Sequence, residues 1–375
     1  MKDLRKHLLT GGVIPALPLV LDANRRFAPD HQRTLIRYYV AAGCSGLAAG
    51  VHSTQFAIRS PEHDLLRPVL ELASEAIDDA LLRHPRSFVK IAGVCGDTHQ
   101  ALGEAKLCRS LGYHAALVSM AALKTDGESE ILDHCRRVAE IIPIIGFHMQ
   151  PAVGGREFPM SFWKQFVRIG NLVAIKVAPF NRFQTLDVVR AVAESGRDDV
   201  ALYTGNDDNI VIDLLTPFSF GEGEQGKRVW FSGGLLGHWG VWTHAAVQLF
   251  ERIVKQRELP AISPSLLTLA AQVTDMNAAI FDPGHGFAGC IPGILEVLRR
   301  QGLVPSNLCL DPSEVLSPGQ AEEIGRVCAA YPHLTDDRFV VENLASWRVR
   351  APQPVDTAGS FPVPDSRYVP RATNP

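Results

Sequence analysis

The run LVAIKVAPF (172–180) sets one lysine, Lys176, among eight otherwise apolar residues. Its length and its valine, isoleucine and alanine content read as a strand buried on both faces, the kind found in parallel sheets. Seven further runs of the same kind precede or follow it: GVIPALPLV (12–20), CSGLAAG (44–50), FVKIAGVCG (88–96), HAALVSM (114–120), PIIGFHMQ (143–150), VALYTGND (200–207) and VWFSG (229–233). Between them lie amphipathic segments such as PEHDLLRPVLELASEAIDDALL, DTHQALGEAKLCRSLG and DGESEILDHCRRVAEII, with acids in the first turn and apolar residues every three or four positions. Eight strand–helix alternations without a linker spell an α/β protein, a (β/α)8 TIM barrel. An open doubly wound sheet has the same periodicity, but no Gly-x-Gly-x-x-Gly turn follows the first strand.

The boundaries that follow are 1–258 for the barrel, 259–332 for a C-terminal helical extension, and 333–375 for a proline-rich extended tail. That tail carries six prolines from Pro352 on. The irregular insert PFSFGEGEQGKR (217–228) reads as a mobile loop or lid before the last strand.

With 37 Lys plus Arg against 40 Asp plus Glu, the net charge of −3 gives no reason to expect nucleic acid or a membrane surface as partner. No apolar run approaches the ~18 residues of a membrane span. The seven cysteines are odd in number and never form a CxxC pair, which argues against a disulfide framework or structural zinc and for a reducing, cytoplasmic setting. A small, weakly charged molecule is the expected partner.

An unpaired buried ammonium is costly, so proteins pair it or lower its pKa. Inside a barrel, Lys176 would share a face with Ala174 and Ala178, while Val173, Ile175 and Val177 take the other. A desolvated lysine there can attack a ketone to form a Schiff base, whose protonated imine is an electron sink for breaking or making an adjacent C–C bond. A buried ion pair with a neighbouring acid is the competing reading. Lys90, the other strand lysine, lies near the start of its strand, whereas catalytic groups of such barrels gather at strand C-termini.

GVIPALPLVLDANRRF, GCSGLAAG, GFHMQPAVGG, LVAIKVAPF, YTGNDD and MNAAIFDPGHGFAGCIPGILEVLRRQGLVP, in that order and spacing, resemble the dihydrodipicolinate synthase and N-acetylneuraminate lyase family of class I aldolases. The resemblance covers about residues 11 to 330 and implies a TIM barrel acting on a 2-keto acid such as pyruvate, without a cofactor, in a homo-oligomer (dimer or tetramer). It places Lys176 on the family's imine-forming lysine. Lys176 lies 28 residues after His148, about the separation the family keeps between its catalytic tyrosine and that lysine.

Several positions depart from the pattern. The family's Tyr-Asn-x-Pro aligns with His148-Met149-Gln150-Pro151, which makes His148 the expected proton shuttle, since imidazole titrates nearer neutrality than a phenol. Gly-Thr-Thr-Gly-Glu becomes Gly50-Val51-His52-Ser53-Thr54. In one register His52 takes the second threonine; in another Ser53 and Thr54 take the pair, and either way this loop is expected to hold the substrate carboxylate. Ser53 and Thr54 equally suit a helix cap. Gly205, Asp207 and Asp208 resemble the segment that contacts substrate hydroxyls in the sugar-acid lyases, and Ser232 is expected to add another hydroxyl contact; Asp207 and Asp208 equally suit a cap for the next helix. The synthase arginine falls on Val153, and a tyrosine pair is absent from SMAALKTD, so synthase-type recognition of a second carboxylate is not expected. A divalent metal at His52, His148 and Asp207 lacks an HxH or HxxxH pair. The reading is a Schiff-base aldolase or lyase; a Schiff-base dehydratase and a catalytically degenerate binding barrel are the alternatives.

Overall fold

The computed structural model describes residues 2–221 and 227–348. Seven short strands, β1 (Val13–Pro15), β2 (Gly46–Ala49), β3 (Val89–Val94), β4 (Ala115–Val118), β5 (Ile144–Met149), β6 (Leu172–Ala178) and β7 (Ala201–Thr204), lie side by side. A small antiparallel hairpin, β8 (Phe218–Phe220) and β9 (Lys227–Val229), comes next in the chain, and β10 (Gly233–Leu236) completes the parallel set. β10 pairs with both β7 and β1, and a parallel bridge from Ala16 to Ala48 joins β1 to β2, so the eight-stranded sheet closes. The expected (β/α)8 barrel is the fold.

Around it run α2 (Pro29–Ala42), α3 (Leu66–Arg83), α4 (Thr98–Ser110), α5 (Glu128–Ile141), α6 (Met160–Phe166), α7 (Arg182–Glu194), α8 (Ile210–Leu215) and α9 (Thr243–Arg257). The amino-terminal α1 (Lys2–Thr10) stops the bottom of the barrel: Leu8 is buried in the interior cluster and its carbonyl accepts the Tyr203 hydroxyl at 2.9 Å. Beyond the barrel follow α10 (Pro264–Phe281), α11 (Cys290–Arg300), α12 (Gln320–Ala330) and α13 (Asp337–Arg348).

Three expectations need correction. VWFSG (229–233) is not the eighth strand; Val229 ends the hairpin, and the barrel strand is the glycine-rich GGLL that follows. Of the insert 217–228, residues 218–220 and 227–228 belong to that hairpin, and 222–226 lie outside the described residues. The hairpin leads directly into the start of β10 and therefore sits at the N-terminal end of the barrel, opposite the end where a lid would close. Finally, 333–348 is not extended. α13 buries Val340 and Trp347, and Arg37 donates to the Trp347 carbonyl at 2.8 Å. Its apolar pair gives it a face to bury against α2; residues 349–375 of the expected tail lie outside the described residues.

The core has two layers. Ile14, Ala48, Ile91, Leu117, Ile145, Ala174 and Tyr203 fill the inside of the barrel, while alternate strand residues such as Ala92, Val118, Ile175 and Val177 meet the helices. The alternation is broken once. Ile144 pairs with Leu172 but Ile145 pairs with Ala174, leaving Val173 as an extra residue in β6. Val173 and Ala174 both face the interior, so this is a β-bulge, and Val173 joins the inner layer instead of the helix-facing one. Beyond it the register becomes Phe147 with Lys176 and Met149 with Ala178.

Candidate active site

Without the bulge, the register that pairs Ile144 with Leu172 would continue to His148 beside Lys176, the 28-residue separation read in the sequence. With it, Phe147 takes that place. The bulge thus turns Lys176 inward, while β5 keeps its own alternation, with Ile145, Phe147 and Met149 inside, so that His148 points outward into the helix layer, where its ring lies 4.9 Å from that of Trp163 on α6 and is 1% exposed. Neither imidazole nitrogen has a partner, and burial lowers its pKa to about 4. The expected proton shuttle is thus not in the site.

Lys176 does face inward. Its Nζ stands 4.3 Å from the centroid of the Phe147 ring, and it forms no hydrogen bond or ion pair among the described residues. Burial lowers its pKa to about 8, with the nearby Asp207 carboxylate acting in the opposite direction. The side chain needs the glycine after β7: a Cβ on Gly205 would come within 2.7 Å of Lys176 Cε and of Ala178 Cβ. Lys90 has the contrary fate. It points outward, 2.9 Å from both carboxylate oxygens of Asp78 and 3.0 Å from Ser74 Oγ.

Asp207 borders the same cavity from the turn after β7. Its Oδ1 accepts the His238 backbone N–H at 3.1 Å, and its carbonyl accepts Asn277 Nδ2 at 2.6 Å. Burial raises its carboxyl pKa to about 7, against the pull of that backbone bond and of Lys176. The turn rests on a buried network that sequence reasoning missed. Asn206 accepts the Phe180 N–H at 3.1 Å through Oδ1 and donates to Asp213 at 2.9 Å and Thr185 at 3.2 Å through Nδ2; Thr204 also donates to Asp213, at 2.6 Å. It ties the ends of β6 and β7 together beneath the lysine. Asp208 is exposed and turned away, its carbonyl accepting Thr274 Oγ1 at 2.9 Å.

Across the cavity the loop after β2 offers Val51, His52 and Ser53. Thr54 is committed elsewhere, donating to the Leu17 carbonyl at 2.6 Å and accepting the Val51 N–H at 3.2 Å. The side chains facing the lysine are therefore those of the ungapped register plus Ser53. Ser53 Oγ is buried, borders the cavity and has no partner, so it is free to donate to a carboxylate. Burial, with Lys176 nearby, lowers the His52 pKa to about 4 and keeps the ring neutral.

Ser232 does not join them. It precedes β10 at the N-terminal end of the barrel, beside Thr10 and Arg257 in a separate groove. Arg156 is also unavailable, since it donates to the carbonyls of Leu123, Lys124 and Asp126. The cavity, of about 90 Å³, is small beside the ~300–1,000 Å³ of drug-sized sites. Its outer wall, unforeseen from the sequence, comes from Phe180 and from Phe281, Phe287, Cys290 and Ile294 around the α10–α11 connection. Among the described residues no group of three or more His, Cys, Asp or Glu could hold a metal ion.

No protein-family model and no curated protein matches the sequence. Solved structures do match. N-acetylneuraminate lyase from Fusobacterium nucleatum in complex with pyruvate is 17% identical with a TM-score of 0.67, covering 87% of this chain and 99% of that chain. The Clostridium difficile protein CdNal in complex with mannosamine is 16% identical with a TM-score of 0.67 over 86% and 99%. Dihydrodipicolinate synthase from Oceanobacillus iheyensis is 15% identical with a TM-score of 0.71 over 88% and 99%. This chain has their fold. The likeness of fold extends over nearly the whole length of these lyases and synthases.

Proposed function

We propose that the protein is a divergent Schiff-base aldolase or lyase of this family, joining Lys176 to the C2 carbonyl of a small 2-keto acid. The observation that carries the proposal is an inward lysine, unpaired and depressed in pKa, at the C-terminal end of a barrel strand. An amine with a pKa near 8 is partly neutral at physiological pH and can add to a ketone. Addition followed by loss of water gives a protonated imine. Asp207 then accepts the proton of the C4 hydroxyl as C3–C4 breaks; the bond's electron pair enters the imine as an enamine and the aldehyde leaves. Return of the proton to C3 and hydrolysis by water release the keto acid and the free amine. Ser53 would hold the keto-acid carboxylate, with His52 beside it as a neutral hydrogen-bonding partner.

A second reading has its own support. The residue on β5 that stands beside Lys176 is Phe147 and not His148, and Val51, which takes the first threonine position in the ungapped register, also lines the cavity, so both of these places are apolar. This favours a barrel that binds a keto acid and turns it over slowly or not at all. Incubation with pyruvate and sodium borohydride, followed by intact mass and peptide mapping, separates the readings from any that lacks imine chemistry. The expected result is one reduced pyruvyl adduct on Lys176; no adduct sinks the aldolase reading, and an adduct without cleavage of any 4-hydroxy-2-keto acid favours the binding barrel.

No described helix is long and apolar enough to cross a membrane. The cysteines of the described residues are free, which supports a cytoplasmic, reducing setting. The homo-oligomer implied by the family is tested by light scattering in solution.

A further inference from the structure

We propose that the fragment this site joins to or releases from its keto acid is an apolar aldehyde, aromatic or branched aliphatic, rather than a sugar or a second carboxylic acid. The proposal rests on the imine reading and adds the substrate class. It comes from the uneven distribution of polarity around the cavity. Lys176, Asp207, His52 and Ser53 collect where the strands end, and a keto acid with its carboxylate and C4 hydroxyl would occupy all four. Beyond them the wall is Met149, Val153, Phe180, Phe281, Phe287 and Ile294.

Phe180 and Phe287 meet edge to face at 5.7 Å, forming an aromatic rim over the cavity. Among the described residues no cation other than Lys176 lines the cavity, so a second carboxylate would enter unpaired, near Asp207. A polyol tail would meet Gln150 as its one neutral amide and leave its other hydroxyls against methyl groups and rings. An apolar tail gains by the same contacts. The two positions that could have supplied polarity are elsewhere: Ser232 is at the other end of the barrel, and Arg156 is bound to three loop carbonyls.

The bonds follow the sequence already given. The C4 hydroxyl of the adduct becomes the aldehyde carbonyl, its proton passes through Asp207 to C3, and one water is lost and one regained at C2, with no change of oxidation state overall.

The test compares pyruvate release from three 4-hydroxy-2-keto acids, bearing a phenyl, a carboxylate and a trihydroxypropyl group at C4. We expect kcat/KM at least tenfold higher for the phenyl compound; equal rates, or preference for either polar compound by an enzyme that traps pyruvate on Lys176, overturn the proposal while leaving the imine reading intact. Binding is measured separately on Lys176→Ala, which forms no imine. There, phenylpyruvate is expected to bind at least tenfold more tightly than a 2-keto acid with a polyol tail. Equal affinities overturn the apolar assignment, whereas loss of pyruvate trapping in the native protein with this preference retained overturns the imine reading alone. Phe287→Ser is expected to narrow both ratios at least threefold, and unchanged ratios count against the wall.

Discussion

The two sides of the cavity have diverged to different degrees from the pattern the sequence resembles. On the β6–β7 side, Lys176, Gly205 and Asp207 stand together on a buried network through Asn206 and Asp213. On the β2–β5 side, Val51 and Phe147 make the cavity wall apolar, and His52 and Ser53 supply the polarity. A nucleophile and a proton relay are separable parts of one site. An imine needs only a desolvated amine and a carbonyl, while turnover needs a group that moves protons. In the proposed reading the first part is kept by Lys176 and the second rests on Asp207.

The largest effect that would break this comparison is at the lysine. Lys176→Ala should remove the borohydride-trapped pyruvate adduct altogether, whereas Lys90→Ala should keep it, since Lys90 is bound to Asp78 and Ser74 on the outside of the barrel. An adduct surviving in Lys176→Ala would place the chemistry elsewhere. Next comes Asp207→Asn, expected to lower aldol cleavage about 10²-fold, in the range of a lost general base, while trapping persists. Because the Asp207 carboxylate holds the lysine pKa up, its loss should also move the pH midpoint of trapping downward. In the native protein the trapping rate should rise with pH through about 8, as Lys176 deprotonates, instead of near the ordinary lysine value of 10.5. A midpoint near 10 would mean that burial does not act on this amine.

Phe147→Tyr sharpens the comparison from the other side. It returns a phenol to the residue paired with Lys176, and cleavage should rise between twofold and tenfold, measured as pyruvate released. No gain, with trapping unchanged, would show that Asp207 already carries the proton transfer fully.

What could be read from the sequence follows from the range of the interactions involved. Lys176 was legible because a charge in an apolar run is visible within nine residues, and the eight alternations made its barrel setting legible too. Its neighbour on β5 was not. Strand faces alternate every residue, so the single extra residue Val173 exchanges His148 for Phe147, and nothing local marks Val173 as different from the valines around it. The eighth strand was displaced for the opposite reason: GGLL lacks the β-branched residues that signal a strand, while VWFSG before it has the signal and forms part of the approach. The Phe281–Ile294 wall lies more than 100 residues from Lys176 in the chain and meets it only through packing.

The smallest expected effect is at His148, and it turns on stability. Its ring is buried beside Trp163 with both nitrogens unpartnered, and burial holds its pKa at about 4 against 6.5 in a solvated histidine. Between those values the unfolded chain binds a proton that the folded chain refuses. The stability is therefore full above about pH 6.5 and is lost as the pH falls towards 4. His148→Phe keeps an aromatic ring of similar shape against Trp163, removes two unpartnered nitrogens, and takes this proton out of the balance. At pH 7 the variant should match or exceed the native stability by up to about 1 kcal/mol. In urea titrations repeated at pH 7 and pH 5 it should lose less stability on acidification than the native protein does, with pyruvate trapping changed by less than about twofold. A large loss of trapping would return His148 to the site and show that the bulge in β6 does not set the register beside Lys176.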